Sequence, residues 1–345
     1  MTGTTDDVRP GFTPGRTARD GAHVDISNLI ENLGEHTVNG LSKGSIYALV
    51  ALGYTLVYGV LKLINFAHSE VFMVGTWTVL GIYTVLGATE DNAGSAIVLV
   101  FLLVALLAAA LASGTTALVI ERIAYRPLRR RNAPSLIFLI TAIGFSLALM
   151  EVFGFVLARF FGPPFGRGTV TIPTLVPRTT WFEIAGTAID NIDVIVVVAA
   201  LIMMVGLDRF INQTRLGRGV RAVAQDPDTA ALMGVDKDRV IMLIFVVGGV
   251  LAGVAALLFT MKFSITKFDI GFVLGLKAFT AAVLGGIGNI RGALLGGLVL
   301  GVVEVYSSAL ISSNWEDVTA FVVLVIVLMF RPTGILGESL GKARA

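Results

Sequence analysis

Ionisable side chains that interrupt long apolar runs are the first candidates for chemistry in this sequence. If such runs cross a membrane, each charge costs about 2.5 to 3.5 kcal/mol near a helix centre, so a functional role is the default expectation. Glu70, Lys277 and Glu304 stand in such runs. We expect each of them either to contact a solute or to form a buried ion pair or polar clamp that fixes helix register.

More local roles are expected for other polar residues near these runs. Glu70 falls one turn inside its predicted helix, where it is placed to cap the helix or to be partly hydrated. His68 is expected to form a hydrogen bond at a helix end. Lys43 is expected to snorkel from the first long helix to the membrane interface. Glu151 also lies within an apolar run and has no assigned role.

Patterns typical of catalytic and metal sites are missing from the sequence. It contains neither H-E-x-x-H nor G-x-S-x-G, it has no cysteine, and two of its three histidines, His23 and His36, lie near the N-terminus. A membrane hydrolase needs a nucleophile with a base, or a metal cluster, and neither is recognisable. We therefore expect no catalytic residue, no metal and no cofactor on this chain.

The Gly-rich stretch GGIGNIRGALLGG resembles a phosphate loop only superficially. A phosphate loop needs Gly-Lys-Ser/Thr opening a helix after a strand, and no Lys-Ser/Thr follows here, so ATP hydrolysis is not expected. Gly288, Gly292 and Gly296 are instead four residues apart, as are Gly297 and Gly301. This spacing predicts a helix face that packs closely against a neighbour. Backbone that lines a pore is the alternative.

The composition places these residues in a membrane protein. Of the 345 residues, 55% are apolar and only 14% are charged, with a mean hydropathy of +0.84, whereas soluble domains carry about a quarter charged residues. The 26 Lys and Arg nearly balance the 24 Asp and Glu, which argues against a nucleic-acid partner.

Runs of about 20 apolar residues predict an all-α polytopic integral membrane protein with eight or nine transmembrane or re-entrant helices. The predicted spans are 38–61, 66–86, 96–120, 136–160, 192–207, 240–263, 272–286, 292–311 and 318–330. The fifth and the seventh are short, and the seventh is Gly-rich enough to be re-entrant or broken.

Arginine and lysine accumulate in two loops, and this predicts an orientation because positively charged loops stay in the cytoplasm. The loop 121–134 carries five Arg, and the segment 208–239 carries five Arg and one Lys. Both are predicted to be cytoplasmic, and the ordered loop between them is predicted to be external. The resulting regions are an external N-terminal tail that is disordered or lies on the membrane surface (1–36), a transmembrane domain (37–331) and a cytoplasmic C-terminal tail (332–345).

The cytoplasmic segment 215–236 is the most distinctive polar part of the chain. It begins with basic residues and continues with apolar residues at mixed helical spacing. Pro227 predicts a break into two short helices, with Asp226 or Asp228 capping the second and Gly234 ending it. An ordinary loop is the alternative to a surface on which a soluble partner docks.

Five separated motifs follow one another along residues 38–337. They are GLSKGSIYALVALGYTLVYGVLKLINFAHSEVFMVGTW, ERIAYRPLR, RAVAQDPDTAALMGVDKDRVI, KAFTAAVLGGIGNIRGALLGG and RPTGILG. Together they resemble the branched-chain amino acid permease family of ABC importers, and most closely its high-affinity leucine/isoleucine/valine permease subunit of the first type.

The resemblance implies a membrane permease subunit of an ATP-driven importer for branched-chain amino acids, located in a bacterial-type plasma (inner) membrane. In such an importer this chain pairs with a second, identical or paralogous permease. Two cytoplasmic subunits bind ATP, and an external binding protein delivers the solute. The ATPase-coupling segment is then expected to use Arg218, Arg221, Asp226, Ala230, Ala231 and Gly234. Its Ala pair stands one residue nearer to the Gly than in the EAA-type loop of other importers.

Two other functions stay open at this point. Urea and short-chain amide permeases have similar motifs, and Glu151 and Glu304 do not separate them from amino acid permeases. An ion-coupled secondary transporter needs ion-coordinating carboxylates at broken helices, and Glu70 and Lys277 are only weak hints of such a site.

Overall fold

The computed structural model describes residues 26–162, 167–184, 186–331 and 333–337. Most of the predicted N-terminal tail, residues 1–25, lies outside the described residues. The helices are α1 (Ile26–Glu31), α2 (Leu33–Leu61), α3 (His68–Val85), α4 (Ile97–Ile120), α5 (Arg126–Arg130), α6 (Ser135–Phe161), α7 (Asn191–Gln213), α8 (Arg215–Gln225), α9 (Pro227–Leu232), α10 (Lys237–Phe263), α11 (Ile270–Gly285), α12 (Ile290–Leu310) and α13 (Glu316–Phe330). The strands are β1 (Val170–Thr171), β2 (Thr180–Ile184), β3 (Thr187–Asp190) and β4 (Ile265–Thr266).

Six of the described helices are long and apolar enough to cross a membrane. They are α2, α4 with its continuation through α5, α6, α7, α10 and α12. This agrees with the prediction of an all-α polytopic membrane protein. Helices α3, α11 and α13 also lie in predicted spans but do not meet the same combination of length and hydropathy, so the predicted number of eight or nine is not confirmed.

Helix α2 lies at the centre of the bundle because its small residues let other helices approach closely. Gly40 lies against the backbone of Gly301 on α12, and Gly44 lies against that of Gly297. The same helix also contacts α7, α10 and α11. In lipid, where apolar surface gains little from burial, such close backbone packing is a main force that holds helices together.

The outward faces of α4, α6, α7 and α13 are apolar. Leu107, Phe155, Ile202 and Met329 are examples, and each is more than half exposed. Soluble monomers rarely expose continuous apolar faces of this kind. The faces are suited to contact with lipid or with another membrane subunit.

Short strands form at one end of the bundle, three of them in the region that the sequence predicted to be an ordered loop. β2 and β3 pair as an antiparallel hairpin, and β1 pairs with β4, which lies in the link between α10 and α11. We call this side the hairpin end. The opposite side carries α8 and α9 and is called the α8–α9 end. Helix α2 contacts both ends, since Gly34 in its first turn lies against β3 and the helix also contacts α8.

The described residues 333–337 pack on the turn between α11 and α12. The backbone N–H groups of Ile335 and Leu336 donate to the carbonyl oxygens of Leu284 and Gly285 at 2.8 and 3.0 Å. The predicted C-terminal tail therefore begins as a segment bound to the bundle, and its remainder lies outside the described residues.

Candidate solute path and coupling surface

Glu304 of α12 is the centre of a buried group of charged side chains. Its Oε1 atom lies 2.5 Å from Lys277 Nζ on α11 and 3.1 Å from Lys43 Nζ on α2, and the Tyr47 hydroxyl donates to it at 3.1 Å. Its Oε2 atom has no hydrogen-bond partner among the described residues. Two of the three predicted candidates, Lys277 and Glu304, thus meet as a buried ion pair. Contact with a solute stays a prediction.

Two acidic residues at the start of α13 complete this group. Asp317 Oδ1 lies 2.5 Å from Lys277 Nζ, and Glu316 forms an ion pair with Lys43. We call the whole set the Glu304 cluster: Lys43, Tyr47, Lys277, Glu304, Glu316 and Asp317. It joins α2, α11, α12 and α13. The expectation that Lys43 snorkels to the interface is wrong, because Glu304 and Glu316 hold its side chain, only 17% exposed, inside the bundle.

A cavity of about 310 Å³ lies next to the Glu304 cluster. Lys43, Tyr47 and Lys277 line one part of it, together with the ion pair between Lys267 and Asp269, whose atoms are 2.9 Å apart. Its apolar lining consists of Ile46, Phe259, Phe263, Ile270, Val273 and Leu274. Apolar walls with a few convergent polar groups are the usual composition of a small-molecule site.

Glu70 lies in the first turn of α3, apart from the Glu304 cluster. It is fully buried, and its Oε1 atom accepts hydrogen bonds from the hydroxyls of Ser146 on α6 at 3.0 Å and of Ser69 at 3.3 Å. Its Oε2 atom is without a partner in the described part of the chain. The expectation of a partly hydrated side chain is wrong, because α6 and α11 cover this end of α3. The geometry is that of a polar clamp between α3 and α6.

The N-termini of α3 and α11 meet beside Glu70. Gly271, in the first turn of α11, packs against the backbone of Ser69, and Gly275 lies next to the Tyr54 hydroxyl. Tyr54 lines a second, mostly apolar cavity of about 220 Å³, and its hydroxyl makes no hydrogen bond within the described residues. Helix α11 therefore begins against buried residues of α3.

His68 and Glu151 occupy different surroundings. The His68 ring is buried, with its centroid 5.1 Å from that of Tyr54, and its Nε2 atom has no partner in the described ranges. The helix-end hydrogen bond at this residue is made by its backbone N–H, which donates to the Asn65 carbonyl at 3.1 Å. Glu151 is exposed and pairs with Arg167 at 2.6 Å.

Helix α8 is fastened to the end of α7. Its first turn is capped by the Thr214 hydroxyl, which accepts a hydrogen bond from the Gly217 N–H at 3.0 Å. The guanidinium of Arg221 donates to the carbonyl oxygens at the end of α7, that of Ile211 at 3.0 Å among them. Arg218 is exposed. Of the two predicted coupling arginines, Arg221 therefore holds α8 in place and Arg218 faces outward.

Helix α9 begins at Pro227 and is capped by Asp226. The Asp226 carboxylate accepts the N–H groups of Asp228 and Thr229, both at 3.0 Å, and the Thr229 hydroxyl at 2.5 Å. These hydrogen bonds, that of the hydroxyl first, lower the pKa of Asp226 from its ordinary value. The predicted pair of short helices, divided at Pro227 and capped by Asp226, is confirmed.

The end of α9 presents an exposed apolar tip. Leu232 is 87% exposed and Met233 is 80% exposed, and Ala231 beside them is also exposed. Gly234 then turns the chain with a φ of +86°. Ala230, in contrast, is buried. Ala230 therefore faces the inner side of α9 and Ala231 the outer side, and the coupling role of the two alanines stays a prediction.

The glycines of α12 face two different neighbours. Gly292 and Gly296 lie against α11, whereas Gly297 and Gly301 lie against α2. Gly288 lies in the turn before α12, with a φ of +97°, so the prediction that it shares the helix face is wrong. The segment before this turn is helix α11, whereas a phosphate loop follows a strand.

Comparison with known proteins identifies the family. The family described as branched-chain amino acid transport system / permease component matches residues 36–328, which include both the Glu304 cluster and α8–α9. The chain belongs to this family.

Two bacterial members of the permease family are similar over nearly their whole length. The high-affinity branched-chain amino acid transport system permease protein BraD of Pseudomonas aeruginosa is 42% identical over 307 residues, which are 88% of this chain and 95% of BraD. The corresponding protein LivH of Escherichia coli is 41% identical over 304 residues, 87% of this chain and 94% of LivH.

A more distant permease of the family is the probable branched-chain amino acid transport permease protein LivH of Methanocaldococcus jannaschii. It is 25% identical over 331 residues, 92% of this chain and 98% of that protein. No solved structure matches the chain. The family assignment confirms the resemblance found in the sequence motifs.

Sequence reasoning missed four members of the Glu304 cluster, namely Lys43, Tyr47, Glu316 and Asp317. One signal was available, because Lys43 and Tyr47 are four residues apart on one helix and therefore share a face. The hydrophobic tip at Leu232 and Met233 was missed as well, since apolar residues at helical spacing are more often core than surface.

Proposed function

We propose that this protein is the membrane permease subunit of an ATP-driven (ABC) importer for branched-chain amino acids. The observation that carries the proposal is the identity of 42% to BraD over 95% of that protein's length. BraD and LivH are both high-affinity branched-chain amino acid permeases. Neither relative favours the alternative of a urea or short-chain amide permease.

The path of the solute runs past the Glu304 cluster and its cavity. Leucine, isoleucine and valine are zwitterions with aliphatic side chains, so their path needs apolar walls and a few charged groups. The cavity combines Lys277 with walls such as Val273 and Leu274, which supports this placement. Glu70 and its two serine partners offer a second polar point at the junction of α3 and α11.

The chain lies in the plasma (inner) membrane of a bacterial-type cell. Helices α3 and α13 add to the six candidate crossings and bring the number to eight, or to nine where the Gly-rich α11 also crosses. The exposed apolar faces of α4, α6, α7 and α13 contact lipid, or a second permease subunit that is identical or paralogous to this one.

Cytoplasmic ATP-binding subunits dock on the α8–α9 end. The exposed Arg218 and the apolar tip at Leu232 and Met233 support this assignment, because a buried apolar anchor beside a polar rim is typical of protein interfaces. ATP is bound and hydrolysed by those subunits, and this chain is a transport subunit without a cofactor of its own. An external solute-binding protein delivers the amino acid at the hairpin end.

Transport proceeds by alternating access. When ATP closes the pair of ATP-binding subunits, α8 and α9 move with them, and the hydrogen bonds of Arg221 pass this movement to α7. The packed helices then open the path outward and afterwards inward. Weak binding in the path lets the solute leave, so selectivity resides mainly in the external binding protein.

Reconstitution of the complete importer in liposomes tests the proposal. We expect leucine to accumulate only when ATP and the binding protein are both present, with no uptake driven by an ion gradient alone. Gradient-driven uptake by this chain without ATP-binding subunits would reject the importer. Uptake of urea or acetamide in place of leucine would reject the amino acid substrate.

A further inference from the structure

We propose that Lys43 and Lys277 together bind the carboxylate of the transported amino acid, whose aliphatic side chain occupies the adjoining cavity. The inference rests on the proposed function for the class of solute and deepens it by naming the residues that hold the solute.

The two ammonium groups have donors to spare. A lysine ammonium has three N–H donors. Lys277 directs two of them to Glu304 and Asp317, and Lys43 directs two of them to Glu304 and Glu316. These ion pairs leave the third N–H donor of each lysine for a further acceptor; the Lys277 ammonium also lies 5.9 Å from the centre of the Tyr47 ring. A buried donor without a partner is costly, and a ligand that supplies an acceptor removes this cost.

The two spare donors are close together and border the same space. Lys277 Nζ and Lys43 Nζ both contact the single atom Glu304 Oε1, at 2.5 and 3.1 Å, so they are no farther apart than the sum of these distances. Both lysines line the 310 Å³ cavity. Two neighbouring ammonium groups with one donor each match the two oxygens of a carboxylate.

The charge of the cluster favours a zwitterion over a simple anion. Three carboxylates, those of Glu304, Glu316 and Asp317, surround two ammonium groups, so the cluster is net negative when all of them are ionised. An amino acid brings its own ammonium group and adds no net charge. Asp317 is the carboxylate most easily replaced at Lys277, because 57% of its side chain is exposed to solvent.

The rest of the cavity suits a branched aliphatic side chain. Ile46, Val273, Leu274 and Phe259 form walls without polar side-chain atoms. The cavity exceeds the roughly 150 Å³ of apolar cavities that hold a benzene-sized molecule. It is therefore large enough for a small amino acid.

Ligand binding to the purified permease with its ATP-binding subunits, without the external binding protein, tests the inference. The probes are radiolabelled leucine and leucinol, the alcohol that lacks the carboxylate. We expect the wild type to bind leucine at least about ten-fold more tightly than leucinol, because the charge-assisted hydrogen bonds of the carboxylate to the two lysines are lost, whereas the ammonium group and its attraction to the carboxylates of the cluster are common to both probes. Lys277→Gln is expected to bind leucine as weakly as leucinol. Lys267→Gln, a change of the same kind in the same cavity, is expected to keep the preference.

Asp317→Asn provides a second test at a more exposed position. Without the competing carboxylate at Lys277, leucine should bind several-fold more tightly than to the wild type, and leucinol should not. The inference is overturned if the wild type does not distinguish leucine from leucinol, if Lys277→Gln keeps the preference, or if Asp317→Asn leaves leucine binding unchanged. Should Lys277→Gln fail to assemble with the ATP-binding subunits, the outcome for Asp317→Asn decides.

Failure of this inference is distinguishable from failure of the proposed function. ATP-driven leucine uptake by the wild-type importer, together with an unchanged leucine preference in Lys277→Gln, overturns only the carboxylate site. Absence of leucine uptake by the complete wild-type importer overturns the proposed function as well.

Discussion

Lys277 Nζ and Glu304 Oε1 lie 2.5 Å apart in the interior of the bundle, where both side chains are buried. A buried ion pair is weak evidence for stability as a whole, but loss of one partner leaves a buried charge without compensation. Loss of Glu304 would affect two lysines, because Lys43 forms an ion pair with the same oxygen atom.

Glu304→Ala is therefore expected to destabilise the protein strongly. It leaves two buried ammonium groups without their shared acceptor, which should lower the free energy of unfolding by about 3 to 5 kcal/mol. Lys237→Ala is the control, since it breaks the exposed ion pair with Asp228 and should cost less than about 1 kcal/mol. Thermal unfolding in detergent measures both, and equal shifts in the two variants would contradict the prediction.

Gly301→Ala is expected to separate α2 from α12. A Cβ at this position would collide with the backbone of Gly40 and Gly44, and overpacking of this kind costs about 1 to 3 kcal/mol. Gly81→Ala is the matched control in helix α3, because in the described structure no atom beyond its own helix lies within 4 Å of the new Cβ. The unfolding temperature should fall for Gly301→Ala only. A fall of similar size for Gly81→Ala would show that the effect is not one of helix contact.

The positions of the helices could be predicted from hydropathy, but their ends could not. The apolar run 240–263 corresponds to the hydrophobic part of α10. The helix itself begins earlier, at Lys237, because Asp236 caps it. In the same way α7 continues to Gln213 beyond its apolar run. Polar residues outside the membrane extend a helix without any signal in hydropathy.

The candidate site could be predicted only in part, because partners on different helices leave no mark on sequence spacing. The cost of a buried charge was enough to single out Lys277 and Glu304, but it did not show that they meet. Lys43 was misplaced because a lysine near a helix end is equally suited to reach the interface. The strand pair of β1 and β4 was missed, since each strand has only two residues and its partner lies far away in sequence.

The cap of α9 should respond to acid. The pKa of Asp226 is lower in the folded protein than in the unfolded chain, where it is about 3.9. The stabilisation by its charge is therefore complete above the unfolded pKa and is lost as the pH falls through the lower folded pKa. We expect the amides of Asp228 and Thr229 to lose protection from hydrogen exchange in that range.

Two substitutions of Asp226 complete this test. Asp226→Asn retains a capping side chain that does not titrate, so protection should no longer depend on pH through this group. Asp226→Ala removes the cap and should reduce protection at every pH. A pH dependence in Asp226→Asn equal to that of the wild type would contradict the assignment.

The apolar tip of α9 should decide whether the ATP-binding subunits are retained. Met233→Asp places a charge on a side chain that is 80% exposed, so the fold of the chain should be preserved while the interface is disrupted. We expect loss of co-purified ATP-binding subunits with normal recovery of the permease from membranes. Glu90→Lys, an exposed change at the other end of the bundle, is the control and should retain them.

The orientation of the bundle can be tested with single cysteines, because the sequence contains none. We expect Ala93→Cys, in the exposed link before α4, to react with an impermeant thiol reagent added to intact cells. Arg130→Cys, at the opposite end, should react only after the membrane is opened. The reverse pattern would invert the orientation and place α8 and α9 outside.

The pairing of β1 with β4 joins the loop between α6 and α7 to the short link that precedes α11. Only three residues separate β4 from the first turn of α11, and two of them, Lys267 and Asp269, border the cavity. A protein that binds to these strands and displaces them would therefore also displace one wall of the cavity. If the binding protein docks at the hairpin end, as proposed above, its docking acts directly on the wall of the cavity in which the solute is proposed to bind.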